Sequence, residues 1–153
     1  MTSGSRSAPS TLLHRFDRTF RVWHYGVSHS SLLLRSRMDG VEDCRLDLLF
    51  EAVESMQLVK RYEGLELHSV DDSTFSRVYE ESGVPPKWRG TRLVVHLRSR
   101  SGTGYVQCGR VVADRHQDDE GETEPRDVVW SLRPSGLRVP GAQAGGTKAG
   151  TPG

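Results

Sequence analysis

The chain reads as mainly β (α+β by count): an antiparallel β-barrel or sandwich of about seven short strands with one short helix. Three observations predict this. Apolar and polar residues alternate with period 2 through most of the segment 16–139. Turn signals, Asp39-Gly40 and Ser101-Gly102 among them, separate the alternating runs. Only 73–82 carries a helical apolar stripe bounded by a cap and a glycine.

The elements follow in chain order. In 18–28, alternation puts Trp23, Tyr25 and Val27 on one face and Phe20, Val22 and His24 on the other, so both faces are expected to be partly covered. Ser28 to Ser31 turns the chain into Leu32-Leu33-Leu34-Arg35, and Asp39-Gly40 marks the hairpin to the next strand. In 45–51, Leu46, Leu48 and Phe50 point inward as a strand. Leu46, Leu49, Phe50, Val53 and Met56 also fall at helical spacing, so 46–58 has a helical alternative. Leu65 and Leu67 mark a further strand. The helix over 73–82 is capped by Asp72 or Ser73, carries Phe75, Val78 and Tyr79, and stops at Gly83. Val84-Pro85-Pro86 forces an extended loop bearing Trp88. Strands are expected at 91–99, 104–113 and 128–133, the last two joined by an acidic loop over 114–127.

Length and composition set the boundaries. A chain of 153 residues is one domain's worth. Its 35% hydrophobic content is low for a globular chain, so part of it is expected to stay outside the core. Residues 1–15 hold too little apolar material to order themselves, and 140–153 is a Gly/Ala/Pro tail; both are expected to be disordered, which leaves 16–139 as a single β-rich domain. No apolar run approaches the length of a membrane span, and the N-terminus has no apolar core of a secretory signal. Cys44 and Cys108 form neither a disulfide framework nor a metal motif. A cytoplasmic protein without a membrane anchor is expected.

The net charge of +1 conceals blocks. Residues 42–83 carry eleven acids against four bases, 84–113 carry six bases and no acid, and 114–127 carry seven acids against two bases. Neighbouring elements of opposite sign are expected to neutralise one another, and a basic patch would need clustering on one face. Eighteen of the 21 bases are Arg, and Ile and Asn are absent. This bias fits GC-rich coding of the actinobacterial kind, so abundant Arg is weak evidence for phosphate contacts.

The densest segment is 22–36. Its Trp23, Tyr25, Val27, His29, Ser30, Leu32 to Leu34, Arg35 and Ser36 precede Arg45, Asp47, Leu49, Phe50 and Val53. These residues resemble an actinobacterial family with the pattern W-x-Y-x-V-x-H-S-x-L-L-L-R-S followed by R-x-D-x-L-F-x-x-V, to which no activity is assigned. The resemblance covers roughly a quarter of the chain, implies a shared fold and carries no residue role.

His29, Ser30 and Asp47 suggest a Ser-His-Asp grouping, but adjacent strand residues point to opposite faces, and no G-x-S-x-G elbow exposes a serine. No catalytic residue is assigned. Arg35, behind three leucines, either binds an external anion or pairs internally with Asp47 or Glu51; the second follows from the cost of an unpaired buried charge. The six histidines show no metal-ligand spacing, and His24, His68 and His96 fall on different strands, so no metal and no cofactor is expected. Cys108 reads as a small buried hydrophobe. Trp88 in P-P-K-W-R-G is either an interface anchor or a lid over one end of the barrel.

Small size, edge-rich β architecture and absent motifs point first to a non-catalytic protein-interaction or binding domain. Its binding residues are expected to be Trp88, Arg89, Tyr25 and Arg35, and its partner another protein. The alternative is a small enzyme or small-ligand binder with a pocket at the mouth of the barrel. Nucleic acid ranks last because net charge is near zero.

Overall fold

The computed structural model describes residues 10–38, 43–117 and 127–134. The Asp39-Gly40 turn, the acidic stretch 118–124 and the tail 140–153 lie outside the described residues. The described chain forms β1 (Leu12–Gly26), β2 (Ser31–Ser36), β3 (Arg45–Glu51), β4 (Ser55–Gln57), β5 (Arg61–His68), α1 (Asp72–Ser82), β6 (Leu93–Arg98), β7 (Thr103–Cys108), β8 (Arg110–His116) and β9 (Asp127–Leu132). The nine strands make one antiparallel sheet in the order β4-β7-β6-β5-β1-β2-β3-β8-β9, open at β4 and β9. Mainly antiparallel β with one α-helix is therefore the architecture.

The sheet doubles over on itself, and two features allow it. One is the length of β1, 15 residues with register shifts at Leu12/His14, Phe16/Thr19 and Val22/His24. Its N-terminal part pairs with β5 alone, and its C-terminal end with β2. The other is a corner at Ala52 and Gly109. Glu51 opposes Arg110 in the β3–β8 ladder, and Ser55 opposes Gln107 in the β4–β7 ladder. Between them Gly109 N donates to Glu51 O at 2.8 Å and Glu54 N donates to Gln107 O at 2.8 Å. β3–β4 and β7–β8 are thus one two-stranded ribbon bent through a corner, the device by which strands change layer. Ala52 sits at φ 57°, in the left-handed region, and breaks both β3 and any helix over 46–58.

The core lies between the layers. Phe20, Leu34, Leu48, Phe50, Val111 and Ala113 come from one half, and Tyr62, Leu65, Leu67, Val95, Leu97, Val106 and Cys108 from the other; all belong to a single buried cluster. Trp130 of β9 packs edge-on against Phe16 of β1 with centroids 6.3 Å apart, although those strands share no ladder.

Several boundaries differ from the sequence reading for local reasons. Among the described residues the strands number nine, because Gly109 divides the run 104–113 into β7 and β8 and because the three-residue β4 is too short to register as a period. β1 begins at Leu12 and takes in residues assigned to the N-terminal segment. There Thr11 O accepts from Ser69 N at 2.8 Å, tying the strand start to the chain after β5. α1 starts one residue earlier than expected: Asp71 is its N-cap and accepts from Thr74 N at 2.8 Å. Gly83, at φ 78°, ends it as expected.

Gly104 offers a local test of this packing. A Cβ there would meet Gln57 O of the backbone and the Tyr62 hydroxyl, both inside contact distance. Gly104→Ala is expected to lower unfolding free energy by about 1–3 kcal/mol, as overpacking does. Val27→Ala, at a residue 78% exposed, should change it by less than about 0.5 kcal/mol. Equal midpoints for the two variants in urea would contradict the assignment.

Candidate functional site

The sheet's outer face, away from the core, carries charge in register. Directly opposed residues share a face. Arg61 opposes Arg21, Arg21 opposes Arg35, Arg35 opposes Asp47, and Asp47 opposes Asp114, a single row across β5, β1, β2, β3 and β8. Arg35 clasps Asp47 with two donors, Nε to Oδ1 at 2.8 Å and Nη2 to Oδ2 at 3.1 Å. Arg45, only 2% exposed, brings its Nε within 3.2 Å of the same Oδ1. His116 Nε2 lies 3.7 Å from Oδ2. One carboxylate thus accepts two hydrogen bonds from one guanidinium, lies at ion-pair distance from a second and faces an imidazole. Glu51, the other partner considered for Arg35, lies 3.5 Å from Arg110 instead.

Trp23 stands over this cluster. Arg35 Cζ is 5.0 Å and Arg37 Cζ 5.8 Å from its ring centroid, both within cation–π range. The indole is nevertheless 43% exposed. It is the extra residue at the β1 bulge, where register passes from Val22↔Leu34 to His24↔Leu33. The bulge reverses the alternation expected for 18–28. His24 now opposes outward Leu33, while Tyr25 opposes Leu32, a core residue. Trp23, Arg35, Arg45 and Asp47 meet here.

The four expected binding residues separate into different places. Arg35 is at the centre of the outer cluster. Tyr25 sits near the end of β1 on the face of Leu32, partly exposed. Arg89 lies over Phe75 and Tyr79, 4.8 and 5.5 Å from their ring centroids, and donates to Ser76 Oγ at 2.7 Å, which pins it to α1. Trp88 is 46% exposed on the turn before β6, beside a recess lined by Glu54, Pro85 and Arg92. β5 and β1 stand between β6 and β2 in the sheet, so Trp88 and Arg89 belong to a different region from Arg35.

His68 and His96 do come together, as opposed residues on β5 and β6. The His68 ring nitrogen Nε2 is 2.8 Å from Glu66 Oε1. Among the described residues no three metal-ligating side chains gather. Ser30 adopts φ 50° as the cap of a short turn and its carbonyl accepts from Val53 N, while Asp47 is committed to arginines, so Ser30 and Asp47 have separate structural tasks.

A second concavity, about 390 Å³, lies between α1 and the sheet. Gln57, His96, Thr103 and Tyr105 line it from the sheet, with Thr74 and Val78 from the helix. Burial pushes the His96 pKa down, helped by the nearby positive charges of Arg98 and His68. Cys108 lies deep in the core, where burial pushes its thiol up to about 12 and keeps it protonated.

The chain matches no protein-family model, no curated protein and no solved structure. Its chemistry is therefore read from its own residues.

The His96 shift has a defined pH consequence. Its proton binds more tightly in the unfolded chain, where the pKa is near 6.5, than in the folded one. The penalty is absent well above about pH 6.5 and grows as pH falls through that value toward the folded pKa. His96→Gln is expected to flatten the loss of stability between neutral and mildly acid pH in urea titrations. An unchanged slope would mean that another group governs that limb.

Proposed function

We propose that this chain is a non-catalytic binding domain that recognises another protein through the outer face of β1 and β2. The observation that carries the reading is Trp23, large and half-exposed, seated over an Arg35 that Asp47 holds by two bonds. Trp and Arg dominate binding energy where they are presented rigidly, because little conformational freedom remains to be lost on association. Here both stand on paired strands and not on loops. No described helix is long and apolar enough to cross a membrane. A cytoplasmic setting belongs to the same proposal, and two cysteines, both free, fit it.

A second reading has its own observation. The cavity of about 390 Å³ beneath α1 has the size of a small-metabolite site, with His96 and Tyr105 among its polar groups. It supports a small-ligand binder or small enzyme, and a ligand library read by thermal shift would test it.

For the first reading the experiment is capture of partners by the tagged chain, then affinity measurement on purified variants. Trp23→Ala is expected to weaken binding at least about tenfold, as loss of a hot-spot Trp does, with the melting temperature little altered. Trp88→Ala is the internal comparison. Loss with Trp88→Ala and none with Trp23→Ala would move the interface to the turn before β6 and overturn the proposal.

A further inference from the structure

We infer that the outer face takes an acidic, extended segment of the partner, laid across β5, β1 and β2 with a carboxylate over Arg21 and an apolar side chain against Trp23. This rests on the reading of that face as the protein-binding surface and specifies what it binds.

The argument begins with like charges. Arg61, Arg21 and Arg35 are directly opposed on three adjacent strands, an arrangement that destabilises a sheet unless each charge is compensated. Two of them are compensated within the chain: Arg61 pairs with Glu63, and Arg35 with Asp47. Arg21, between them and exposed, pairs with no carboxylate among the described residues. Among the described residues the row therefore presents one guanidinium without a carboxylate, flanked by two that have one, a position that an incoming anion stabilises.

The neighbourhood narrows the anion. Strands lie about 4.8 Å apart, so Arg61 to Arg35 spans about 10 Å, the reach of three extended residues. Trp23 follows Arg21 by two residues on β1 and offers its exposed indole to a side chain beside the carboxylate. A nucleic-acid strand fits less well. Single-strand platforms present successive aromatics for base stacking; of the two exposed aromatics near the end of β1, Tyr25 opposes the core residue Leu32, which leaves Trp23 beside the row. With Glu63 and Asp47 already neutralising two arginines, the charge left to satisfy suits a carboxylate or two, not a chain of phosphates.

The test is fluorescence anisotropy with the full chain and a labelled dodecapeptide of Glu and Asp around one central Leu. Its Gln/Asn counterpart and a thymidylate dodecamer serve as comparisons. The acidic peptide is expected to bind with affinity that falls as salt rises. Arg21→Glu should weaken it at least about tenfold, Arg21→Gln less, and the Gln/Asn peptide should not bind. Arg21 is exposed, and thermal melts establish that both variants fold. No binding of the acidic peptide, or binding indifferent to Arg21→Glu, overturns the inference. So does tighter binding of the thymidylate lost with Arg21→Glu, which would give the row to nucleic acid. If the peptide fails while a captured partner still depends on Trp23, only the acidic segment is refuted. If the captured partner ignores Trp23→Ala, the interface itself is refuted.

Discussion

The carboxylate of Asp47 is the constraint around which the outer face is organised. A guanidinium withdrawn from water must meet a negative charge, and Arg45 is almost wholly withdrawn while Arg35 is largely so. Asp47 answers both from the middle of β3, one strand from Arg35 and two residues from Arg45. Its two bonds to Arg35 restrict a side chain that would otherwise sample many rotamers. The indole of Trp23 then rests on a fixed surface. Without Asp47, Arg35 would lose both of the hydrogen bonds that fix it beneath the indole.

The core imposes the complementary constraint. β2 and β3 place Leu32, Leu34, Leu46, Leu48 and Phe50 inward, so their intervening residues must face outward, and these include Arg35, Arg45 and Asp47. The charged row is thus indexed to the hydrophobic pattern: a one-residue slip would send arginines into the core. The corner at Ala52 and Gly109 turns β4 and β7 into the opposite layer and closes the core against β5 and β6. Fold and site share the same register.

What the sequence revealed follows the range of each interaction. Alternation in β2, β3 and β6 was legible because inward residues repeat every second position, and α1 was legible from local stop signals such as Gly83. The pairing of Arg35 with a carboxylate was legible because a buried charge demands one. The bulge at Trp23 was not, since an unbroken alternation runs through 18–28 and nothing local marks the extra residue. The corner at Gly109 was hidden because the inward positions change phase there, from Val106 and Cys108 to Val111 and Ala113, and reading 104–113 as one strand conceals the shift. The row of Arg61, Arg21 and Arg35, like the meeting of His68 with His96, depends on strand register between distant segments, which residue spacing along the chain does not encode.

A double-mutant cycle between Arg35 and Asp47, read as unfolding free energy for Arg35→Met, Asp47→Asn and the pair, tests this account most directly. If Asp47 holds Arg35 in place, the two substitutions are strongly non-additive, with a coupling of about 1.5–3 kcal/mol. If their effects add to within about 0.5 kcal/mol, the carboxylate does not organise the face, and the seat proposed for Trp23 is lost with it.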